Sequence, residues 1–549
     1  MRMMIPALFA LFFSAVAAAQ TTMKPDVKLT AVFDSIVQKE FKATEPGVSA
    51  IVVKKGAIIY KKGVGMADME LNVPVHADMI FRLGSITKQF TAVAILQLAA
   101  QGKLTLADPV TKYIPDFAIK EPVTIEQLLN HTSGIKSYTN VEKFWQQMRT
   151  DLSPREVIRL TENDSLEFKP GTQWNYNNTG YVILGYIIEK VSGMRYEKYV
   201  QQHLFAPAGM KNSYYGNESS IIRNRAKGYK REGLAYEHAD YISMTLPYAA
   251  GSLISTVEDL WNWNKALYSY QLLSKEWVDK AITPHVLPDG TPTHYGFGLG
   301  ISTVQGSLAI EHNGGINGFS THALYMPGEE VFVAAFSNCD CRSPEGMVVK
   351  LAAAAMGKPY NFKALPLAEK DAKEYEGVYT NKGEERYIRW KNGKLTSQRG
   401  SGTVYVVSMY EKDKFFFADD FSFLEFQRNP EGKITGALYS NRTDKVDWVR
   451  TDKAFPQQRP IVAVAPELLK DLVGNYQLAP NFVLAVTFEN GKLYGQATGQ
   501  VKFEMLPYSA TRFKVSIVDA EIEFKQNAEG KTESLILYQA GRAMPAKRQ

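Results

Sequence analysis

Two similar segments follow each other in the last third of the chain, and this repeat restricts the fold more than any other feature. At a shift of about 98 residues, positions 376–379 match 473–476, and Asn392-Gly393-Lys394-Leu395 matches Asn490-Gly491-Lys492-Leu493. Both segments consist of short runs rich in Tyr, Phe, Val and Thr, separated by Asn-Gly and Glu-Gly turns. Matching turns at fixed offsets predict two copies of one antiparallel β unit, each of a size to close as a small barrel.

The repeats also suggest domain boundaries. We predict a signal peptide at 1–19, an N-terminal domain at 20–358, a first β repeat at 359–455 and a second at 456–549. The Pro-rich segment 455–466 would join the two repeats. Tyr439 belongs to the first repeat with Tyr538 as its counterpart, and we interpret it as structural. The default expectation for each repeat is a packed β domain without a ligand.

Segments with strand and helix patterns are unevenly distributed in the N-terminal domain. Two short β runs joined by a Lys-Lys-Gly turn are expected between residues 48 and 65, and further strands at 295–304, 307–312, 319–326 and 331–337. The middle, roughly 150 to 270, is mainly helical, and residues 344–356 form a closing helix. We therefore predict an α/β domain whose two ends form one antiparallel sheet, with a helical insertion between them.

The first residues are typical of export. Met-Arg-Met-Met precedes an apolar run at 5–16 and Ala17-Ala18-Ala19, the pattern of a cleavable signal peptide. The run is too short for a permanent membrane span, so we expect a periplasmic or secreted protein without a stable membrane anchor. The only cysteines, Cys339 and Cys341, are too few for a disulfide framework and poor as a zinc site. They are expected to be free or locally oxidised thiols after the strand at 331–337.

The motif Ser85-Ile86-Thr87-Lys88 can make a serine nucleophilic without a Ser-His-Asp triad. Apolar residues at helical spacing follow it, from Phe90 to Leu98. Side chains three residues apart share one helix face, and a helix opening at Ser85 places free N–H groups and the positive dipole end beside the hydroxyl. A partly desolvated Lys88 can then accept the Ser85 proton near neutral pH. The structural alternative for Ser85 is a helix N-cap.

Two further motifs supply the other groups that acyl transfer needs. Tyr176-Asn177-Asn178 offers a tyrosine that acts as a phenolate or relays a proton, and an Asn178 that orients Lys88 and the substrate carbonyl. A strand ending in His312-Asn313-Gly314-Gly315 can present the Gly315 N–H to a carbonyl, because glycine permits close approach. With the Ser85 N–H it would form an oxyanion hole. A hydrogen-bonded structural role is the alternative for His312.

In this order the three motifs resemble those of the serine beta-lactamase-like family, which includes class C beta-lactamases, DD-peptidases, D-aminopeptidases and related esterases. The resemblance covers roughly residues 28 to 357, and the stretches 128–135, 250–256 and 295–300 support it. It implies Ser85 as nucleophile, Lys88 as its activator and Tyr176 as general base and later acid. The β repeats resemble the lipocalin-like barrels of some of these peptidases, which would bind an apolar ligand, shield the active site or mediate oligomers.

One departure from the family pattern bears on substrate choice. Beta-lactamases and DD-peptidases usually have Lys-Thr-Gly where this chain has His312-Asn313-Gly314, and that lysine helps hold the substrate carboxylate. His312 is mostly neutral at pH 7 and would be a weaker handle. Asn313 and Gly314 are expected to contact the substrate. The resemblance thus favours the D-aminopeptidase and esterase branches and implies poor β-lactam hydrolysis.

From the sequence we expect an exported serine hydrolase that forms a Ser85 acyl-enzyme on a small amide, a peptide (D-amino acids included) or an ester. The alternatives are a true beta-lactamase or DD-carboxypeptidase, and a non-catalytic protein that binds peptidoglycan or peptides. A net charge of +6 without a long basic run gives no reason to expect nucleic acid. No metal or cofactor is expected, and a homo-oligomer is left open.

Overall fold

The computed structural model describes residues 26–418, 420–456, 459–479, 482–518, 520–539 and 542–549. The predicted signal peptide at 1–19 lies outside these residues. Within them, one mixed α/β domain is followed by two closed barrels. This arrangement confirms the predicted fold class. The predicted boundaries near 358 and 455 remain predictions, and both fall between the regular elements described below.

The N-terminal domain is organised by a six-stranded antiparallel sheet. Its strands, in chain order, are β1 (Val48–Lys54), β2 (Ala57–Val64), β3 (Gly300–Val304), β4 (Ser307–Ile316), β5 (Phe319–Met326) and β6 (Val331–Ser337). Their order across the sheet is β3-β4-β5-β6-β1-β2, so the two ends of the domain meet where β1 pairs with β6. All seven residues of β6 are buried, because helices cover both faces of the sheet.

Two strand predictions need correction. The predicted strand at 295–304 begins only at Gly300, because the preceding segment turns beneath the Ser85 helix. There Gly298 has a φ of +70°, and a Cβ on it would lie 2.8 Å from the Lys88 carbonyl oxygen. The strand predicted at 307–312 runs on to Ile316, so His312 lies within β4 and does not end it.

Helices pack on both sides of this sheet. Val27–Glu40 and Glu345–Ala355 cover one face, where Phe33, Val37 and Val348 join the strand residues in an apolar core. The other face carries the helical insertion, which includes Thr87–Ala100, Asn178–Ser192 and Val257–Tyr268. The shorter α-helices are Ile125–Leu129, Glu142–Gln146, Pro154–Arg159, Tyr196–Val200, Ala206–Ala208, Tyr248–Gly251 and Lys275–Ile282. Among the described residues, no helix has the length and apolar character needed to cross a membrane.

Each β repeat closes as an eight-stranded antiparallel barrel. The first barrel follows the helix Glu369–Tyr375 and consists of Gly377–Asn381, Glu384–Lys391, Lys394–Arg399, Val404–Glu411, Lys414–Phe417, Phe423–Arg428, Ile434–Ser440 and Lys445–Thr451. The second follows Pro466–Lys470 and consists of Gly474–Ala479, Phe482–Glu489, Lys492–Ala497, Phe503–Pro507, Arg512–Val515, Ala520–Gln526, Thr532–Gln539 and Arg542–Arg548.

The repeated sequence motifs have matching structural roles in the two barrels. Asn392 and Gly393 both have positive φ, as do Asn490 and Gly491, which is the backbone that tight two-residue hairpins require. Tyr379 donates a hydrogen bond to the Tyr375 carbonyl, and Tyr476 donates one to the Leu472 carbonyl, each at 2.8 Å. The Asn-Gly turns therefore set the hairpins, and the tyrosines tie each barrel to the helical turn before it.

The first barrel docks on the N-terminal domain through the loop 441–444. The Thr303 amide of β3 donates to the Arg442 carbonyl at 2.7 Å, and the Arg442 guanidinium donates to Glu311 Oε2 of β4 at 2.6 Å.

Beyond β6, Cys339 and Cys341 form a disulfide bond, so the structure contains the locally oxidised form.

Candidate active site

Ser85 lies where a short 3₁₀ turn, Gly84–Ile86, leads into the helix Thr87–Ala100. The sequence predicts an apolar stripe here, but the helix is buried on nearly all sides, from Thr87 to Leu96. Ser85 is partly exposed at the start of the helix, whereas Lys88 is 0% exposed one turn further on. The Ser85 hydroxyl and the Lys88 amine therefore meet at the boundary between the core and solvent.

The surroundings of Lys88 favour its neutral form. Its Nζ lies 3.1 Å from Ser85 Oγ, 2.8 Å from Asn178 Oδ1 and 2.9 Å from the Ala250 carbonyl oxygen. Burial lowers the pKa of Lys88 well below its usual value, and no carboxylate among the described residues pairs with it. A neutral amine has two N–H donors, which suit the two carbonyl-type acceptors. Its lone pair then remains for the Ser85 O–H, as the proton acceptor of a serine nucleophile requires.

Tyr176 is held over this pair. Its ring centroid lies 4.7 Å from Lys88 Nζ, and its hydroxyl is buried without a hydrogen-bond partner among the described residues. Burial raises the pKa of Tyr176, and the neighbouring Ser85 hydroxyl opposes this shift only in part. The free protein therefore holds Tyr176 as the neutral phenol. Of the two options that the motif offers, this state suits the proton relay better than the phenolate, and the role of general base and later acid that the resemblance implies stays a prediction.

Asn178 begins the helix Asn178–Ser192, and Asn177 caps it. The Asn177 side chain accepts from the Gly180 amide at 2.7 Å, which fixes the first turn. Asn178 accepts from Lys88 through Oδ1 and donates to Thr139 Oγ1 at 3.3 Å. The amide is thus held between Lys88 and the loop, as its predicted orienting role requires.

The predicted oxyanion-hole partner Gly315 lies directly against the turn that carries Ser85. A Cβ on Gly84, which has a φ of +55°, would come within 2.9 Å of the Gly315 nitrogen. The last pair between β3 and β4 joins Gly300 to Glu311, so Gly315 belongs to a part of β4 that pairs only with β5. A Cβ on Gly315 itself would meet nothing within 4 Å, because this glycine opens onto the cleft.

His312 is not placed as a handle for a substrate carboxylate. It is 5% exposed, its Nδ1 lies 2.5 Å from the Asn313 carbonyl oxygen, and its Nε2 lies 2.8 Å from the Tyr295 hydroxyl. Burial lowers the pKa of His312 to about 3, so the ring is neutral near pH 7. Its ring centroid lies 6.2 Å from that of Tyr176, so His312 lies beside the Lys88–Tyr176 pair with both ring nitrogens engaged, and its predicted catalytic role stays a prediction.

The neighbouring predicted contacts also change. A Cβ on Gly314 would lie 2.0 Å from the Leu83 carbonyl oxygen, so this glycine permits β4 to pack against the segment before Ser85. Asn313 is exposed. Neither Asn313 nor Gly314 lines the cleft at Ser85. Of Asn313, Gly314 and Gly315, Gly315 alone lines it.

The cleft at Ser85 has a volume of about 190 Å³ and an uncharged wall. The apolar and aromatic side chains that line it are Tyr138, Phe144, Trp145, Ile242, Pro247, Ala250 and Ile316. Its polar side chains are those of Ser85, Thr139, Asn178 and Asn317. A ligand carboxylate or ammonium would find no opposite charge among these lining groups.

Three supporting groups have no role in the sequence prediction. His131 accepts from the Asn177 amide at 3.1 Å, and its ring centroid lies 4.5 Å from that of Tyr176. Burial lowers the pKa of His131 well below its usual value, which keeps it neutral as an acceptor. Tyr295 holds His312, and the Ala250 carbonyl holds Lys88. His131, Ala250 and Tyr295 lie in the three stretches that carry the family resemblance, so a signal existed, but it did not specify their contacts.

Comparison with known proteins agrees with this geometry. A family model described as Beta-lactamase matches residues 31–355. The chain belongs to the Beta-lactamase family. Its fold and family place it among the beta-lactamase-fold serine hydrolases. A second model, described as a domain of unknown function (DUF3471), matches residues 458–547, which cover the second barrel.

Known proteins resemble this Beta-lactamase family chain over most of its length. It is 26% identical to a penicillin-binding protein of Bacillus subtilis (strain 168) over 539 residues, which cover 93% of this chain and 96% of the relative. A D-stereospecific amidohydrolase from Streptomyces sp. superimposes with a TM-score of 0.51 at 27% identity, over 58% of this chain and 98% of that one. An octameric penicillin-binding protein homologue from Pyrococcus abyssi gives a TM-score of 0.53 at 25% identity, over 95% and 99%.

Proposed function

We propose that the protein is an exported serine hydrolase whose Ser85 is acylated by small, uncharged, apolar esters or amides, including D-amino acid amides with the amine unprotonated. The observation that carries this proposal is the fully buried Lys88, whose Nζ lies 3.1 Å from Ser85 Oγ beside an uncharged cleft. A non-catalytic binding protein would not need a desolvated lysine at that position. Export rests on the sequence pattern at 1–19 and is part of the proposal.

Acylation follows from the positions of four groups. Ser85 Oγ bonds to the substrate carbonyl carbon while its proton passes to Lys88 Nζ. The Ser85 and Gly315 amides stabilise the oxyanion. When the bond to the leaving group breaks, Tyr176 donates its proton to that group and takes the proton held by Lys88. The products of this stage are the acyl-enzyme and a protonated leaving group, with Lys88 and Tyr176 again neutral.

Deacylation uses the same groups with water in place of the leaving group. Water attacks the Ser85 ester, one of its protons passes through Tyr176 and Lys88, and Ser85 Oγ leaves as the alcohol. The net reaction is hydrolysis of an ester or amide to a carboxylic acid and an alcohol or amine. No step requires a metal or a cofactor.

The wall of the cleft indicates the substrate class. Aromatic and aliphatic side chains line it, and a charged end group would lose its hydration there without gaining an opposite charge. His312, neutral and engaged at both ring nitrogens, cannot replace the lysine that holds a carboxylate in beta-lactamases. We therefore propose neutral substrates over penicillins or peptides that end in a free carboxylate.

The second candidate is a penicillin-binding DD-peptidase. The full-length Bacillus subtilis relative is named a penicillin-binding protein, and the octameric homologue supports an oligomer as part of either candidate. This alternative requires carboxylate recognition outside the lining groups of the cleft.

A labelling and turnover experiment distinguishes the candidates. The full chain is treated with a fluorophosphonate and with a fluorescent penicillin, and is then assayed on phenyl acetate, D- and L-phenylalanine amide and a cephalosporin. The proposal expects Ser85 labelling by the fluorophosphonate and ester or amide turnover clearly faster than cephalosporin turnover. Strong penicillin labelling with faster cephalosporin turnover would favour the second candidate. Failure of all labelling would favour the binding protein.

A further inference from the structure

The first barrel contains a cavity whose key lining residues are replaced by other residues in the second barrel. The cavity has a volume of about 1040 Å³ and is lined by both aromatic and polar groups. Arg386, Ser397, Tyr439 and Trp448 contribute to its wall, and Asn441 and Asp444 belong to the loop beside it. A volume of this order is ample for a small organic ligand.

Arg386 is the unusual group in this cavity. It is 6% exposed, and its Nη1 donates to Ser397 Oγ at 2.8 Å. Its guanidinium carbon lies 4.5 Å from the ring centroid of Tyr439 and 4.8 Å from that of Trp448. Arg386 Nε and Trp448 Nε1 are both buried without a hydrogen-bond partner in the part of the chain that the structure describes. Two N–H donors are therefore left unused around one buried cation.

No acidic side chain among the described residues forms an ion pair with Arg386. Burial lowers the pKa of Arg386 to about 10, so the group still carries its charge near neutral pH. A buried cation without a counter-charge destabilises a domain unless something compensates for it. The aromatic rings compensate in part, but they do not use the free N–H donors.

The second barrel shows that this cluster is not required for the fold. The strand registers pair Ile388 with Ser397 in the first barrel and Val486 with Gly495 in the second, which aligns position 386 with 484 and 397 with 495. The pairs Ala437–Trp448 and Leu535–Ala546 align position 439 with 537 and 448 with 546. The second barrel therefore has Leu484, Gly495, Leu537 and Ala546 where the first has Arg386, Ser397, Tyr439 and Trp448.

We propose that the first barrel is a binding site for a small organic carboxylate with an apolar body, held by Arg386 and Trp448. The carboxylate would accept from Arg386 Nε and from Trp448 Nε1, and the apolar body would lie among the aromatic side chains of the cavity. Charge-assisted, planar hydrogen bonding of this kind is what a guanidinium offers to a carboxylate. The proposal does not depend on the reaction at Ser85.

The acidic residues of the cavity wall already have partners. Glu384 pairs with Arg399, and Glu385 accepts from Lys453 at 2.7 Å. Asp444 lies 3.2 Å from His294 Nε2, and Asp420 accepts from Ser422 at 2.9 Å. These groups would repel an anion less than four free carboxylates would. Arg386 itself would repel an organic cation placed at its unused N–H donor.

Calorimetry with 4-phenylbutyrate and 4-phenylbutanol tests the proposal on the full-length protein. The two probes share the apolar body and differ in the carboxylate, and neither can be hydrolysed. We expect the carboxylate to bind at least tenfold more tightly than the alcohol. Arg386→Leu, which introduces the residue of the second barrel, should remove this preference, whereas Arg389→Leu should keep it. Arg389 lies on the same strand, stacks on Tyr387 and Phe455, and is not part of the cavity wall.

The location of the probe is measured separately. In protein labelled with 5-fluorotryptophan, the ¹⁹F signal that disappears in Trp448→Phe should shift with 4-phenylbutyrate and should not shift with the alcohol at equal concentration. Equal affinity of the two probes, unchanged binding in Arg386→Leu, or an unmoved Trp448 signal would each overturn the proposal. If Arg386→Leu does not fold, the probe comparison and the Trp448 signal in the unsubstituted chain still decide the question.

Discussion

The ion pair between Arg442 and Glu311 gives the sharpest test of how the barrel supports the active-site domain. Arg442 comes from a loop of the first barrel, and Glu311 lies on β4, four residues before Gly315. Both side chains are almost buried, at 12% and 13% exposure. Arg442 also donates to Ser302 Oγ at 2.9 Å and to the Thr303 carbonyl at 3.2 Å. We predict that Arg442→Met loosens β3 and β4 without unfolding the barrel.

The magnitude follows from burial. Removing one partner of a fully buried pair costs about 3–5 kcal/mol, because the other charge is left without compensation. Glu311 keeps its contact with His322 at 3.0 Å and is not wholly buried, so the lower end, about 3 kcal/mol, is expected. At 1.4 kcal/mol per tenfold, this corresponds to about a 100-fold change in the local opening equilibrium.

Hydrogen exchange of the segment 300–316 measures this opening directly. Arg442→Met should lower its protection about 100-fold, and the double variant with Glu311→Gln should recover part of the loss, because no buried charge is then unpaired. Arg399→Met is the matched control, since it breaks an ion pair of the same barrel whose side chains are 61% and 53% exposed. Unchanged protection at 300–316 in Arg442→Met would refute the reasoning.

Three further predictions concern the site itself. Ser85→Ala should lower ester turnover by at least about a thousandfold with an unchanged melting temperature, and near-normal turnover would exclude Ser85 as nucleophile. Because Lys88 must be neutral to accept a proton and its pKa is lowered by burial, kcat/KM should stay high at neutral pH and fall as pH drops through that lowered pKa; a profile that rises only near pH 10 would contradict this. Gly84→Ala should lower kcat about 100-fold by moving Gly315, whereas Gly102→Ala, with a similar positive φ but no atom within 4 Å of its Cβ, should not; equal activity of the two would contradict the contact.

Much of the site could be predicted because its signals are local. Ser85 and Lys88 meet through helical spacing, and Asn178 begins the helix that its neighbour Asn177 caps. The barrels could be predicted because Asn-Gly turns mark their hairpins at constant intervals. These features depend on a few consecutive residues, so the local sequence pattern is enough to predict them.

The misplaced features depend on register. His312 was expected to offer a weak handle for a substrate carboxylate, but it is buried with both ring nitrogens engaged, and a sheet covered on both faces gives no polar side from which to read which strand residues are exposed. Tyr439 was expected to correspond to Tyr538, whereas the strand pairs align it with Leu537. Because of that difference of one position, the sequence comparison did not show that an aromatic residue in the first barrel corresponds to an aliphatic residue in the second. Arg442 lies 131 residues from Glu311, and no local pattern announces such a contact.

The course of β4 connects the docking loop to the chemistry. Glu311 is the last residue of β4 that pairs with β3, and the strand then continues past His312 to Gly315 with β5 as its only neighbour in the sheet. Four residues of strand span about 13 Å, so the contact of the barrel with Glu311 lies about 13 Å along the same strand from Gly315, the proposed oxyanion-hole donor. Loosening it should misplace the Gly315 amide while leaving Lys88 and Ser85 on their buried helix. The Arg442→Met substitution should therefore lower kcat for a short ester, while Ser85 is still labelled. If kcat is unaffected while hydrogen exchange increases, β4 is positioned by β5 and by Gly314 packing against Leu83, and the barrel serves stability alone.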